Sequence, residues 1–386
     1  MLERTIAIFS SSRADVGPLT PVVEGIDADP RFSLLLLLAG THGSDTFGTP
    51  RDPFSVSSAA AIERFAEGLV DARPREQVSA GAQIAQGTAA ALGKSVPDAL
   101  VVLGDRWELL FAVPAAVLLG VPVVHLHGGE VTEGAIDERV RHAVTKLADL
   151  HLCATDDAAR RLLQMGEPHD RVVVTGAPAL DRFRDVTPAT DAELHALLGR
   201  PVARPFGVVT YHPPTAVNID VASAARAVFE AAAVLLGSAL ITFPGLEPHY
   251  EEVVEQAHRT ATKHQNVSLV RSVGASYPAV LAAADVMAGN SSSGIIEAAS
   301  FGLPVVDVGE RQSGRMRGPN VVHVPEGHDA IVHGLRRALE PGFRRGLACT
   351  ANPYGDGQAV PRILDALAGP ALQARTPKPF VDRGRS

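Results

Sequence analysis

The chain has 386 residues, enough for two or three domains at roughly 150 residues each. Its 35 basic and 43 acidic residues leave a formal net charge of −8, which argues against a nucleic-acid coat or a polybasic membrane binder. Hydrophobic residues make up 46 % and charged residues 20 %, enough apolar mass for sizeable cores, so general disorder is excluded.

Short apolar runs alternate with helical patterns along the chain. Residues 5–9 read as a buried strand, Ser10 to Arg13 as a lead-in, and 18–26 as a helix. Further strands are expected at 34–38, 99–103, 121–126, 150–154 and 171–175, with helices at 107–119 and 137–149. Residues 187–205 read as a linker, and the pattern then restarts. Strands are expected at 207–210, 239–243, 267–270, 286–288 and 304–308, with helices at 221–236 and 250–263. Continuous apolar strands alternating with helices imply parallel sheets covered on both faces. The reading is two α/β domains, 1–185 and 186–368, with a loosely packed Pro- and Arg-rich tail at 369–386. In open α/β sheets ligands bind beyond the carboxyl ends of the strands, so loops of both halves are expected to line one cleft.

Two cysteines, Cys153 and Cys349, cannot make a disulfide framework, and buried structural thiols in a reducing compartment are expected. The opening Met1-Leu2-Glu3-Arg4 lacks the layout of a secretory leader. The longest apolar stretch, 34–39, falls far short of the roughly 20 residues of a membrane helix, so a cytoplasmic protein without a membrane partner is expected. No Gly-x-Gly-x-x-Gly follows a strand and no Gly-x-x-x-x-Gly-Lys-Ser/Thr occurs, which disfavours NAD binding and P-loop chemistry.

Gly289-Asn290-Ser291-Ser292-Ser293-Gly294-Ile295-Ile296-Glu297 follows an expected strand and opens an expected helix. Backbone N–H groups and hydroxyls there suit a phosphate, and Glu297, one turn in, suits ribose hydroxyls. Simple serine capping is the competing explanation. Arg13, Arg106, Arg311 and Arg315 all follow strand ends, where guanidinium forks match phosphate oxygens.

The first half carries the acid–base candidates. Asp105 lies in Gly104-Asp105-Arg106, just past a strand, and Glu130 ends His125-Leu126-His127-Gly128-Gly129-Glu130. Strand alternation puts His125 and His127 on one face. Asp137 begins a helix with Arg141 one turn on, a spacing that also fits a simple ion pair. The two histidines lack a third ligand of convincing spacing, so neither metal nor cofactor is expected. In Tyr211-His212-Pro213-Pro214-Thr215 the prolines turn the chain away from the strand, leaving His212 at its end. His42 in Gly40-Thr41-His42-Gly43 also follows a strand.

Together these motifs resemble the hydrolysing UDP-N-acetylglucosamine 2-epimerases, and within them the bacterial branch serving sialic and legionaminic acid synthesis. The carriers are Ser12-Arg13-Ala14-Asp15, Gly104-Asp105-Arg106, His125 through His142, Thr175-Gly176-Ala177-Pro178, His212-Pro213, Asn290 through Glu297, and Gly309-Glu310-Arg311-Gln312. The resemblance implies a GT-B-like architecture, two Rossmann-like parallel-sheet domains around a nucleotide-sugar cleft. It implies elimination of UDP from UDP-N-acetylglucosamine and addition of water, releasing N-acetylmannosamine and UDP. Asp105, Glu130, Asp137 and His212 match the positions credited with catalysis. Arg13, Ser291, Ser292, Glu297 and Arg311 match those that hold UDP, and Arg106, His127 and Asn290 are expected at the substrate. A UDP- or GDP-linked 2,4-diacetamido-2,4,6-trideoxy sugar is the alternative substrate, and a GT-B glycosyltransferase the alternative activity. A homodimer or homotetramer is expected, since such assemblies are common.

Overall fold

The computed structural model describes residues 3–43, 51–68, 73–132, 136–214, 219–245, 248–347, 350–372 and 378–382. Cys349, Thr215, Leu246, Glu247 and the tail residues 373–377 and 383–386 lie outside the described residues. Two compact units emerge, one drawn from Met1–Glu130, Ile136–Asp181 and Tyr354–Ser386, the other from Val131–Ala135 and Arg182–Pro353.

The first unit carries β1 (Arg4–Ser10), α1 (Arg13–Ala28), β2 (Phe32–Leu38), β3 (Ala61–Arg64), α2 (Pro74–Ser95), β4 (Ala99–Leu103) and α3 (Leu109–Leu118). It continues through β5 (Val123–Leu126), α4 (Asp137–Leu147), β6 (Leu150–Cys153), α5 (Asp156–Gln164) and β7 (Val172–Val174). Its strands form one sheet in the order β3-β2-β1-β4-β5-β6-β7, every neighbouring pair parallel. The order reverses at β1 and β4, as in doubly wound nucleotide-binding sheets.

The second unit follows with α6 (Asp191–Leu198), β8 (Phe206–Thr210), α7 (Val221–Leu235), β9 (Ser238–Thr242), α8 (Tyr250–Lys263), β10 (Val267–Val270), α9 (Tyr277–Ala283) and β11 (Val286–Gly289). Next come α10 (Ser292–Ile296), β12 (Val305–Val308), β13 (Val321–Val324), α11 (His328–Ala338) and α12 (Pro341–Gly346); α13 (Ala359–Ala368) then returns to the first unit. The second sheet, β10-β9-β8-β11-β12-β13, repeats the same winding.

Alternate strand residues enter different cores, which is why the strands read as unbroken apolar runs. Ile6, Ile8, Leu34 and Leu36 pack in one cluster, while Ala7, Phe9, Leu35 and Leu37 pack in another. In the second sheet Val209 and Ile241 face one core, and Val208 and Leu240 the opposite one.

Several expectations need correction. The first helix begins at Arg13, not near residue 18. Ser12 caps it, accepting from the Ala14 N–H at 3.2 Å, while Asp15 reaches back to the Ser12 N–H at 3.0 Å. β3, α2, α5, β13 and α11 were not anticipated. The stretch read as a linker contains α6, opened by a capping box of Thr190 and Glu193.

The largest correction concerns the C-terminus. α13, expected in the second domain, is part of the first unit. Its Ile363 and Leu367 are fully buried in the core that holds Ile6 and Leu36. Asp181 accepts the Ala359 and Val360 N–H groups, each at 2.8 Å, and so fixes the helix start. Gly25 of α1 is required at the crossing, because a Cβ there would lie 2.6 Å from Val360 Cγ1. The tail is anchored where described: Lys378 Nζ lies 2.7 Å from Glu167, and the Val381 N–H donates to Gly166 O at 3.0 Å. Among the described residues no helix is long and apolar enough to cross a membrane.

Ile363→Ala removes buried side-chain volume from this core and should destabilise the first unit by about 2–5 kcal/mol. Urea unfolding followed by hydrogen exchange will read this as lost protection in α1 and β1, with β8 and β11 unaffected.

Candidate functional site

In the first unit the loops after β4 and β5 meet the start of α4. Gly104 (φ 68°) and Gly129 (φ 80°) take left-handed conformations that turn the chain sharply off each strand. A Cβ on Gly129 would meet Ala158 O at 2.4 Å, so a side chain is excluded there.

Arg141 organises this end of the sheet. Its side chain is 1 % exposed and pairs with the Asp105 carboxylate, donates to Glu138 at 2.9 Å, and donates to the Glu130 carbonyl at 2.9 Å. The residue one turn past Asp137 therefore draws Asp105, Glu130 and α4 together. Glu130 is 6 % exposed and its Oε1 lies 2.5 Å from His127 Nδ1. Asp137 opens α4, half-buried. Three of the four expected catalytic residues thus share one strand-end region; Arg141 ties Asp105 and Glu130 to α4, and its partner within the helix is Glu138, where the sequence spacing suggested Asp137.

The two histidines do not share a strand face. β5 ends at Leu126, and His127 has φ 60°, so strand alternation no longer applies to it. His125 points into the core: its Nε2–H donates to Gly104 O at 2.7 Å, and the Thr145 hydroxyl lies 3.4 Å from Nδ1. Burial pushes its pKa down to about 3, against the opposing Gly104 carbonyl, so His125 is a neutral scaffold residue. His42 is equally buried, its Nε2 lies 2.8 Å from Ser10 Oγ, and burial lowers its pKa to about 4.

Asp15 accepts the Ser11 and Ser12 N–H groups at 2.8 and 3.0 Å, so this motif residue shapes the loop after β1. Arg13 occupies the first turn of α1, half-buried. Arg106 is bound by Glu108, NH2 to Oε1 at 2.9 Å, with side-chain exposures of 30 % and 0 %. Cys153 is buried, its Sγ–H donates to Val173 O at 3.3 Å, and burial raises its pKa to about 12. That thiol is a packed, unreactive group, as expected.

In the second unit the loops after β8, β11 and β12 are stitched together by Asn290. Its Oδ1 accepts the His212 N–H at 2.7 Å and its Nδ2 donates to His212 O at 2.9 Å. Its own carbonyl accepts from Arg311 NH1 at 3.1 Å and from Gln312 Nε2 at 2.9 Å. With 1 % exposure, the Asn290 side chain acts on protein backbone, where sequence reasoning expected a substrate contact. Gly289 (φ 125°) precedes it, and a Cβ there would collide with Thr210 O at 1.9 Å.

The serine turn opens only a five-residue helix, Ser292–Ile296. Ser291 caps it, accepting from the Ser293 N–H at 3.3 Å. Ser293 donates to Glu297 Oε2, and its hydroxyl lies 2.6 Å from Tyr277 OH. Burial raises the Glu297 pKa above the usual carboxylate range, partly offset by the Ser293 hydrogen bond and the Arg182 charge. Ser291 thus serves the cap while the Ser293 hydroxyl serves Glu297 and Tyr277. The Tyr277–Ser293 link had no sequence signal, because it joins residues of separate elements. Among the described residues no group of three or more His, Cys, Asp or Glu is placed to hold a metal.

Three buried histidines, His42, His125 and His151, have pKa values below the ordinary value of 6.5. Each binds its proton in the unfolded chain before the folded one. Stability is therefore complete above about pH 6.5 and falls as pH drops toward the folded values, at about 1.4 kcal/mol per pH unit each for His42 and His125, with His151 adding to the fall in the same direction. Denaturant midpoints between pH 6 and 5 should fall accordingly, and His125→Gln should reduce that slope.

A profile described as UDP-N-acetylglucosamine 2-epimerase matches residues 24–368. A UDP-N,N'-diacetylbacillosamine 2-epimerase (hydrolyzing) of Legionella pneumophila is 32 % identical over 94 % of this chain and 95 % of that protein. A UDP-N-acetylglucosamine 2-epimerase of Neisseria meningitidis is 28 % identical, covering 88 % of each chain. A solved structure of UDP-GlcNAc 2-epimerase from Neisseria meningitidis bound to UDP-GlcNAc superposes with TM-score 0.77 at 18 % identity, over 94 % of this chain and 99 % of that one. That likeness carries the fold, two Rossmann-like units of the GT-B-like kind. With a family profile matched across both units and a relative alike along nearly its whole length, the chain belongs to the UDP-N-acetylglucosamine 2-epimerase family.

Proposed function

We propose that this protein is a hydrolysing 2-epimerase that converts UDP-N-acetylglucosamine to N-acetylmannosamine and UDP, supplying a precursor for nonulosonic acid synthesis. The observation that carries this reading is the Asp105–Arg141–Glu130 cluster at the strand ends of the first unit, within a chain of this family.

The chemistry needs two proton transfers and a departing diphosphate. A base takes the proton on C2 as the C1–O bond to UDP breaks, leaving a C1=C2 double bond. Water then adds its oxygen to C1, and an acid delivers a proton to C2 from the opposite face. Asp105, Glu130 and Asp137 supply the carboxylates for these steps, and His127 and Arg106 act beside them on the substrate. Arg13, Ser291, Ser292, Glu297 and Arg311 hold UDP, and His212, seated on Asn290, serves the departing diphosphate. The alternative substrate, a UDP-linked 2,4-diacetamido-2,4,6-trideoxy sugar, draws support from the name of the Legionella relative.

The test is a product assay by NMR in D2O, with UDP-N-acetylglucosamine and the diacetamido analogue supplied separately and no acceptor present. Release of UDP and N-acetylmannosamine carrying deuterium at C2 is expected. Turnover of the analogue alone would replace the substrate, and no turnover of either without an acceptor would favour a transferase. Asp105→Asn and Glu130→Gln should each lower turnover by about a hundredfold, as for a lost general acid or base. Arg311→Ala should weaken UDP binding, measured by calorimetry, by about 1.5–3 kcal/mol, the range of a charged hydrogen bond.

A further inference from the structure

We propose that Glu108 is a positioning residue for the reaction: buried beneath the loop that carries Asp105, it anchors the Arg106 guanidinium. The inference rests on Arg106 acting at the substrate. The Glu108 carboxylate is completely buried, and NH2 of Arg106 lies 2.9 Å from its Oε1. Glu108 precedes α3 in the cap position, yet its side chain makes no capping bond. Phe111 and Ala112 donate to its backbone carbonyl instead, each at 3.1 Å, which any residue would accept.

The pair is a poor stabilising device. Among the described residues, Glu108 Oε2 and Arg106 Nε have no hydrogen-bond partner. A buried ion pair with unmet polar atoms is commonly no more stable than apolar side chains of the same size. Burial pushes the Glu108 pKa up, and the Arg106 charge opposes it. What the pair does is decide between competitors. The charges of Asp15 and Asp137 also act on Arg106, and Asp105 is its neighbour in the chain. Without Glu108, the guanidinium would be drawn to one of these carboxylates. With it, the cation stays in place with 30 % of its side chain exposed.

The experiment is steady-state kinetics on UDP-N-acetylglucosamine for the native protein, Glu108→Gln, Arg106→Met and the two combined, with folding followed by thermal melting. Glu108→Gln should lower kcat/KM about tenfold through KM, with kcat nearly unchanged. In the Arg106→Met background the same change should cost less than about twofold, because Glu108 then has nothing to hold. An equal loss in both backgrounds, or a loss confined to kcat, would overturn the inference. Loss in Arg106→Met with none in Glu108→Gln would sink this inference alone, whereas native kinetics in Arg106→Met would also remove Arg106 from the proposed site. Should Glu108→Gln misfold, Glu108→Met with Arg106→Met replaces the pair by apolar groups and should match Arg106→Met alone.

Discussion

Burying a guanidinium is unfavourable unless its charge and hydrogen bonds are met. Arg141 meets that condition with groups from three places: Asp105 after β4, the Glu130 carbonyl after β5, and Glu138 one turn back in α4. The dependence is mutual. Carboxylates crowded at the ends of neighbouring strands would repel one another and push the loops apart. One buried cation between the Asp105 and Glu138 carboxylates, donating also to the Glu130 carbonyl, ties the loops after β4 and β5 to α4.

The backbone supplies the second constraint. In each unit the chain leaves a strand through a glycine with positive φ, Gly104 and Gly129 in the first, Gly289 and Gly309 in the second. Asp105, Glu130 and Asn290 follow directly and Arg311 two residues on, and the proposed chemistry relies on them. A side chain at Gly289 or Gly129 would strike a neighbouring carbonyl, so the tight exit and the polar residue after it come as one piece. Both units thereby use a common device for different ends: the first concentrates carboxylates and the second concentrates hydrogen bonds around Asn290.

Much of this was legible in the order of residues. Strands buried on both faces announce themselves as apolar runs, and the motifs after them put Asp105, Glu130 and Arg311 just past strand ends, where the structure has them. What escaped had physical causes. The first helix carries Pro18 and Pro21 in its interior, so its true start lay in the quieter Ser12–Asp15 box. α13 belongs to the first unit because its buried face matches a core built from the other end of the chain, a contact no local pattern encodes. His127 left its strand face because one residue of left-handed backbone cancels alternation. The partners of Arg141 at Asp105 and of Ser293 at Tyr277 are distant in sequence, and Glu108 carries no local pattern that marks its burial.

The histidines carry the last step. A neutral buried imidazole makes a poor proton carrier, because taking a proton means charging it where water cannot reach. His125 and His42 are in that position, one donating to Gly104 O and the other bonded to Ser10. They hold the loops after β4 and β1 by hydrogen bonds of fixed direction, and they stay neutral while the proposed reaction moves protons nearby. Other polar groups at the strand ends of the first unit are the carboxylates around Arg141 and the His127–Glu130 pair, whose partners sit 2.5 Å apart. The buried imidazoles thus belong to the scaffold, fixed by hydrogen bonds to Gly104 O and Ser10 Oγ.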